Sequence, residues 1–77
     1  MKVTGKVSKQ TRPNGQGSYY QLTTEGGTEL ALSMTESVKP ADDARVLEPL
    51  LGKTVEADGL IRKNTGELMA FTVQQVG

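Results

Sequence analysis

Hydrophobic and polar residues alternate along three short stretches in the first half of the chain, at residues 3–7, 19–24 and 30–34. A period of two is typical of a strand with one face buried and one face in water. The middle stretch is also rich in strand-forming tyrosine and threonine, and it places Tyr20 and Leu22 on one face. The residues predicted to face inward are Val3, Gly5, Val7, Tyr20, Leu22, Leu30, Leu32 and Met34.

Two clusters of turn-forming residues separate these three stretches. Residues 11–18 hold one proline, one asparagine and two glycines, which predicts a loop. Gly26 and Gly27 stand between the second and third stretches. Such a pair predicts a tight hairpin in which both glycines take a positive φ. The short connections predict three antiparallel strands.

Apolar residues at positions 46–51 show a different period, with the i, i+3 and i+4 spacing of one helix face. Proline inside a helix removes a hydrogen bond and clashes with the preceding turn, so Pro49 should end the regular helix near Leu47 or Glu48. Asp42 or Asp43 is expected to cap its start. The apolar face is predicted to comprise Val46, Leu47, Leu50 and Leu51, the last two covering the barrel bottom from an irregular turn.

Two more strands are predicted, at residues 54–62 and 67–76, joined by a polar turn. The small residues Ala57 and Gly59 would let the fourth strand bend sharply, as a barrel corner requires. The fourth strand is expected to place Val55, Ala57, Gly59 and Ile61 on one face. The fifth is expected to point Met69, Phe71 and Val73 inward, with Leu68 and Ala70 on its other face.

The order strand, strand, strand, helix, strand, strand resembles the oligonucleotide/oligosaccharide-binding (OB) fold, an all-β, five-stranded Greek-key barrel with one short helix. The resemblance also rests on the glycine of the first strand and on the pattern Leu-x-Gly-Lys-x-Val-x-x-x-Gly-x-Ile at residues 50–61. It covers almost the whole chain and implies one OB-like barrel domain over residues 1–77. An SH3-like or Sm-like barrel is the alternative, although those folds do not normally place a helix between strands three and four.

Composition narrows the chemistry that this barrel can perform. The 77 residues include no histidine and no cysteine, which removes the commonest general base, the thiol nucleophile and the usual zinc ligands. We therefore expect a non-enzymatic protein without a metal or cofactor. No apolar run approaches the roughly 20 residues of a membrane span, and residues 1–5 turn polar too early for a signal peptide, so a cytoplasmic protein is expected.

Nine basic and nine acidic residues cancel, so the placement of charge is more informative than the net charge. In the fold that the chain resembles, the loops joining strands one to two and four to five flank the ligand-binding face. Basic residues lie at both loops, and Tyr19 and Gln21 are predicted to project from the second strand between them. This pattern favours weak binding of single-stranded DNA or RNA, with cations on phosphates, Tyr19 stacking and Gln21 offering amide hydrogen bonds. The predicted nucleic-acid-binding residues are Lys9, Arg12, Tyr19, Gln21, Arg62 and Lys63.

The alternative is a protein–protein interaction or self-assembly module that uses a strand edge. Its apolar outer patch would comprise Leu68, Ala70 and Val76, with Leu60 near it. A saccharide or other small ligand is a third hypothesis. The chain is expected to be a monomer or a weak homodimer. With Tyr20 and Phe71 expected in the core, Tyr19 is left as the one predicted stacking residue.

Overall fold

The computed structural model describes residues 1–15, 17–35 and 40–77. They form five strands, one helix and one 3-10 turn between the helix and the fourth strand. The elements are β1 (Lys2–Thr11), β2 (Ser18–Thr24), β3 (Glu29–Met34), α1 (Pro40–Leu47), the 3-10 turn (Glu48–Leu50), β4 (Thr54–Ile61) and β5 (Leu68–Gln75).

The strands close into a barrel in the order β1-β2-β3-β5-β4. Neighbouring strands are antiparallel except β3 and β5, which run parallel through the pairs Leu32↔Leu68, Ser33↔Met69 and Met34↔Ala70. The predicted class, a five-stranded Greek-key barrel with the order β-β-β-α-β-β, is confirmed. A short parallel pairing between strands so distant in sequence needs a long crossover, and the connection through α1 and β4 supplies it.

The core fills the inside of the barrel, and the helix covers one end. Tyr20 and Leu22 of β2 are buried, as predicted, and α1 ends at Leu47, whose side chain is fully buried. Leu50 and Leu51 pack against this core from the 3-10 turn and the residue after it, also as predicted. The buried apolar residues are Val7, Tyr20, Leu22, Leu32, Leu47, Val55, Ala57, Leu68 and Ala70. Val46 and Ile61, predicted to face inward, are exposed.

The predicted inward face of β5 is wrong in its first half. Leu68 and Ala70 are fully buried, while Phe71 is exposed. A β-bulge is the cause, since Gly59 pairs with Ala70 whereas the preceding residue of β4 pairs with Thr72, so that Phe71 has no partner. The extra residue shifts the alternation of β5 by one position, and beyond it Val73 packs against the core, as predicted.

Two local predictions at turns also need correction. In the β2–β3 hairpin only Gly27 has a positive φ, of 87°. The Thr24 amide donates to the Thr28 carbonyl, so the loop has three residues and needs left-handed backbone only at its last position. The helix begins at Pro40, which places both Asp42 and Asp43 within its first turn and neither at the cap. Asp43 makes a contact of its own. Its Oδ1 accepts a hydrogen bond from the Met34 amide at 2.9 Å and so ties the helix to the end of β3.

Candidate nucleic-acid interface

An open cleft of about 520 Å³ lies on the outer surface of the barrel, where the β1–β2 loop, the β4–β5 loop and the end of β3 come together. Arg12 and Arg62 line it from the two loops. Tyr19 and Met69 line it from β2 and β5. The structure thus brings together three of the six residues predicted from the sequence, namely Arg12, Tyr19 and Arg62.

The floor of the cleft is a row of outward-facing residues that crosses three strands. β2 and β3 pair through Tyr20 and Leu32, and the next residues beyond that pair, Tyr19 and Ser33, both line the cleft. Ser33 pairs in turn with Met69 across the parallel β3–β5 ladder. Tyr19, Ser33 and Met69, here called the cleft row, are all half-buried and alternate along their strands with buried residues. Strand alternation therefore points all three toward the cleft.

At one end of the row, Arg12 lies over the Tyr19 ring, with its Cζ 5.5 Å from the ring centroid. This distance is within the range of a cation–π contact. The loop positions Arg12 through its backbone, because its amide donates to the Gly17 carbonyl and its carbonyl accepts from the Gly15 amide, at 3.0 and 2.9 Å. The guanidinium remains exposed, so it presents both a charge and a flat face to solvent.

At the other end, Arg62 Nε donates a hydrogen bond to Met69 Sδ at 3.2 Å. Two backbone hydrogen bonds hold Arg62 within the β4–β5 loop. The Arg62 amide donates to the Glu67 carbonyl, and the Gly66 amide donates to the Arg62 carbonyl, each at 2.8 Å. The Arg62 side chain is therefore held beside the cleft row. Among the residues that the structure describes, the other guanidinium hydrogens of Arg62 have no partner and can donate to an acceptor.

Two carboxylates also line the cleft, and they limit where an anion can bind. Asp43 stands at its helix side and Glu67 at the start of β5. Among the described lining residues, two guanidinium groups thus face two carboxylates. A phosphate would be repelled by Asp43 at the helix side and by Glu67 beside Arg62, and attracted by the exposed guanidinium groups of Arg12 and Arg62.

Lys9, a third predicted basic residue, does not line the cleft, although its neighbour Tyr20 does. It pairs with Tyr20, and its Nζ lies 3.4 Å from Glu48 Oε2 and 5.7 Å from the centroid of the Tyr20 ring. The Tyr20 hydroxyl donates to the same carboxylate oxygen at 2.5 Å. Burial, and then the Glu48 carboxylate, raise the pKa of Tyr20 to about 12. The hydrogen bond from Tyr20, and then Lys9, hold the pKa of Glu48 below its usual value. These three side chains fasten the 3-10 turn to the end of the barrel.

The two other predicted residues contribute less to the cleft than Arg12 and Arg62. Gln21 lies in β2, but it is only 9% exposed and does not line the cleft. Lys63 is exposed and follows Arg62 in the chain, where it adds positive charge beside the cleft without lining it. Sequence reasoning overlooked Ser33 and Met69. The alternation of β3 already marked Ser33 as outward, whereas Met69 was hidden by the wrong face assigned to β5.

Comparisons with protein-family models, curated proteins and solved structures found no match for the chain. Within the described residues, no group of three or more Asp or Glu side chains is placed to hold a metal ion. The helices found there are also too short and too polar to cross a membrane.

Proposed function

We propose that this barrel binds single-stranded nucleic acid across the cleft row, with bases over Tyr19 and Met69 and phosphates at the two arginine rims. The observation that carries the proposal is the placement of Arg12 on Tyr19 and of Arg62 on Met69, at opposite ends of one row of outward-facing side chains. Each end then combines a flat or polarisable surface for a base with a cation for the adjacent phosphate.

The geometry favours a single strand over a duplex. Base stacking on an aromatic ring requires an unpaired base that can leave its neighbours, whereas a duplex offers mainly its backbone. Tyr19 is half-buried with Arg12 over its ring, so the pair is ordered before any ligand arrives. The Ser33 hydroxyl, between the two ends, can donate to or accept from a base edge.

The binding should be weak and sensitive to salt. If Arg12, Arg62 and Lys63 each neutralise one phosphate, the logarithm of the association constant should fall with the logarithm of salt concentration with a slope of about −2 for a single strand. The overall charge adds no long-range attraction, since the basic and acidic residues cancel.

The test is charge reversal at both rims, Arg12→Glu with Arg62→Glu, assayed by fluorescence anisotropy with labelled DNA and RNA single strands at low salt. A matched control reverses Lys6 and Lys53, which are also exposed and do not line the cleft. We expect the arginine variant to lose binding and the lysine variant to keep it, with both folded by circular dichroism. Equal losses in the two variants would show binding by general charge alone and refute the cleft. An unchanged affinity in the arginine variant would refute it as well.

The second hypothesis is a protein-interaction or self-assembly module, and only part of the apolar patch predicted for it lies on the surface. Leu68 and Ala70 belong to the core, while Leu60 and Val76 are exposed. Molecular mass measured by light scattering at micromolar concentration tests self-assembly directly, because a barrel that associates through these side chains would exceed the mass of a monomer.

A further inference from the structure

Phe71 is the single phenylalanine of the chain, and the fold places it on the surface with 55% of its area exposed. A barrel with only three aromatic residues gains stability by burying each of them. Tyr20 follows that expectation, whereas Phe71 does not. Its exposure has a specific structural cause in the bulge between β4 and β5.

The bulge depends on Gly59, the residue of β4 that faces Ala70. A Cβ at this position would lie 2.0 Å from the Met69 backbone oxygen, so the two strands approach too closely for any side chain. The unpaired residue that this pairing leaves in β5 is Phe71. Bulges commonly re-aim a side chain beside a binding site. Here the bulge leaves Ala70 in the core and turns the next residue, Phe71, to solvent.

The exposed ring continues the cleft row and does not form an isolated patch. Met69, the last member of the row, precedes Phe71 by two residues on the same strand, and Leu60 pairs with Met69 from β4. Leu60 is 60% exposed. The outward surface therefore runs from Tyr19 through Ser33 and Met69 to Phe71, flanked by Leu60.

Charge defines which part of this surface suits a polyanion. Arg62 lines the cleft and is bonded to Met69, so it places a cation beside the residue that lies two positions before Phe71. Beyond Phe71 the next pair is Asp58↔Thr72, and the Asp58 carboxylate is itself occupied by the amino group of Met1 at 3.3 Å. A phosphate is thus attracted electrostatically on the Met69 side of Phe71, and it finds little electrostatic attraction on the Asp58 side.

We infer that Phe71 is a second base-stacking residue, which ends a ligand path that begins at Tyr19. The inference rests on the function proposed above and extends it from one stacking contact to two. Two strand spacings and two residues along β5 put the backbone positions of Tyr19 and Phe71 about 12 Å apart. That distance exceeds three steps of about 3.4 Å between stacked bases, so the rings contact different nucleotides of one strand.

The first experiment places 4-fluorophenylalanine at the single phenylalanine, which gives one ¹⁹F resonance without assignment. Titration of the labelled protein with hexathymidylate at low salt should shift this resonance in a saturable manner, with the same dissociation constant as amide shifts at Tyr19. A mononucleotide should shift the Tyr19 amide and leave the ¹⁹F signal in place. A ¹⁹F signal that stays fixed while the Tyr19 amide moves with hexathymidylate would overturn the inference and leave the cleft intact.

The second experiment compares Phe71→Ala and Phe71→Leu with Val76→Ala, a control that truncates another exposed apolar residue of the last strand region. Loss of one stacked base should weaken hexathymidylate binding by about 5- to 150-fold in both Phe71 variants. The control should bind like the wild type, and all three should unfold at a similar urea concentration because these side chains are exposed.

The outcomes separate the two levels of the proposal. Equal affinity of the wild type and Phe71→Ala, with loss of binding in the double arginine variant, would refute the second contact alone. No binding of any oligonucleotide by the wild type would refute both. A Phe71→Ala variant that changes the mass of the protein in solution, without changing its affinity for the oligonucleotide, would assign Phe71 to a contact between copies and overturn its role in stacking.

Discussion

Replacing Gly59 by alanine tests the strand geometry that carries Phe71 to the surface. The new Cβ would lie 2.0 Å from the Met69 backbone oxygen and 2.7 Å from Ala70 Cα. Both contacts are with backbone, which cannot rotate away as a side chain can. β4 and β5 must separate by more than 1 Å to reach an ordinary contact near 3.4 Å, and the ladder hydrogen bonds beside the bulge weaken as they do so.

The expected loss of folding free energy can be taken from the cost of overpacking in other protein cores. Forcing an extra methyl group into a packed site costs about 1–3 kcal/mol, and the upper end or more applies where the obstacle is backbone. A domain of this length is stable by about 4–12 kcal/mol, so a loss of about 3 kcal/mol is a large fraction. It corresponds to a melting temperature roughly 12–24 °C lower and a urea midpoint lower by about 1–3 M.

Gly26→Ala is the matched control, because it makes the same substitution at a glycine with room for the methyl group. The nearest atom to a Cβ there is Thr24 Oγ1 at 3.9 Å, and its φ is not positive. We expect that variant to be unchanged or about 0.4–1 kcal/mol more stable, since alanine restricts the unfolded chain. Urea unfolding followed by circular dichroism compares the two variants. A Gly59→Ala midpoint equal to that of Gly26→Ala would refute the close approach of β4 and β5, and with it the bulge that exposes Phe71.

Two further predictions concern the covered end of the barrel. Leu47→Ala should lower the free energy of unfolding by about 2–5 kcal/mol, because it leaves a cavity under the helix. Val46→Ala, at the exposed neighbouring residue, should lower it far less. Similar melting temperatures for the two variants would contradict this packing. Tyr20→Phe removes the hydroxyl that donates to Glu48. Because the pKa of Tyr20 is raised to about 12, the stability contributed by its protonated hydroxyl is fully present below the ordinary value of 10.0 and is lost as the pH rises through 12. Urea midpoints of this variant and the wild type should therefore differ at about pH 8 and converge toward pH 12, and a difference independent of pH would contradict that hydrogen bond.

The sequence by itself determined the order of the elements and the faces of the early strands. Alternation placed Tyr20 and Leu22 inward correctly because both residues lie in a regularly paired strand, where a period of two is obeyed locally. Pro49 likewise located the end of the regular helix at Leu47, because proline acts on its own backbone and on the turn before it. Tyr19 could be recognised as outward by the same reasoning.

The tertiary structure decided the features that depend on a partner. A bulge belongs to a pair of strands, so Gly59 in β4 determines which way Phe71 faces in β5, and no pattern within β5 reveals the shift. The carboxylate of Glu48 likewise decides that Lys9 fastens the covered end of the barrel and does not line the cleft. The cleft itself exists because a parallel pairing brings Ser33 beside Met69, residues from distant parts of the chain. Local sequence encodes the alternation of each strand, whereas register and closure follow from how the strands pack together, and these decide which outward side chains become neighbours.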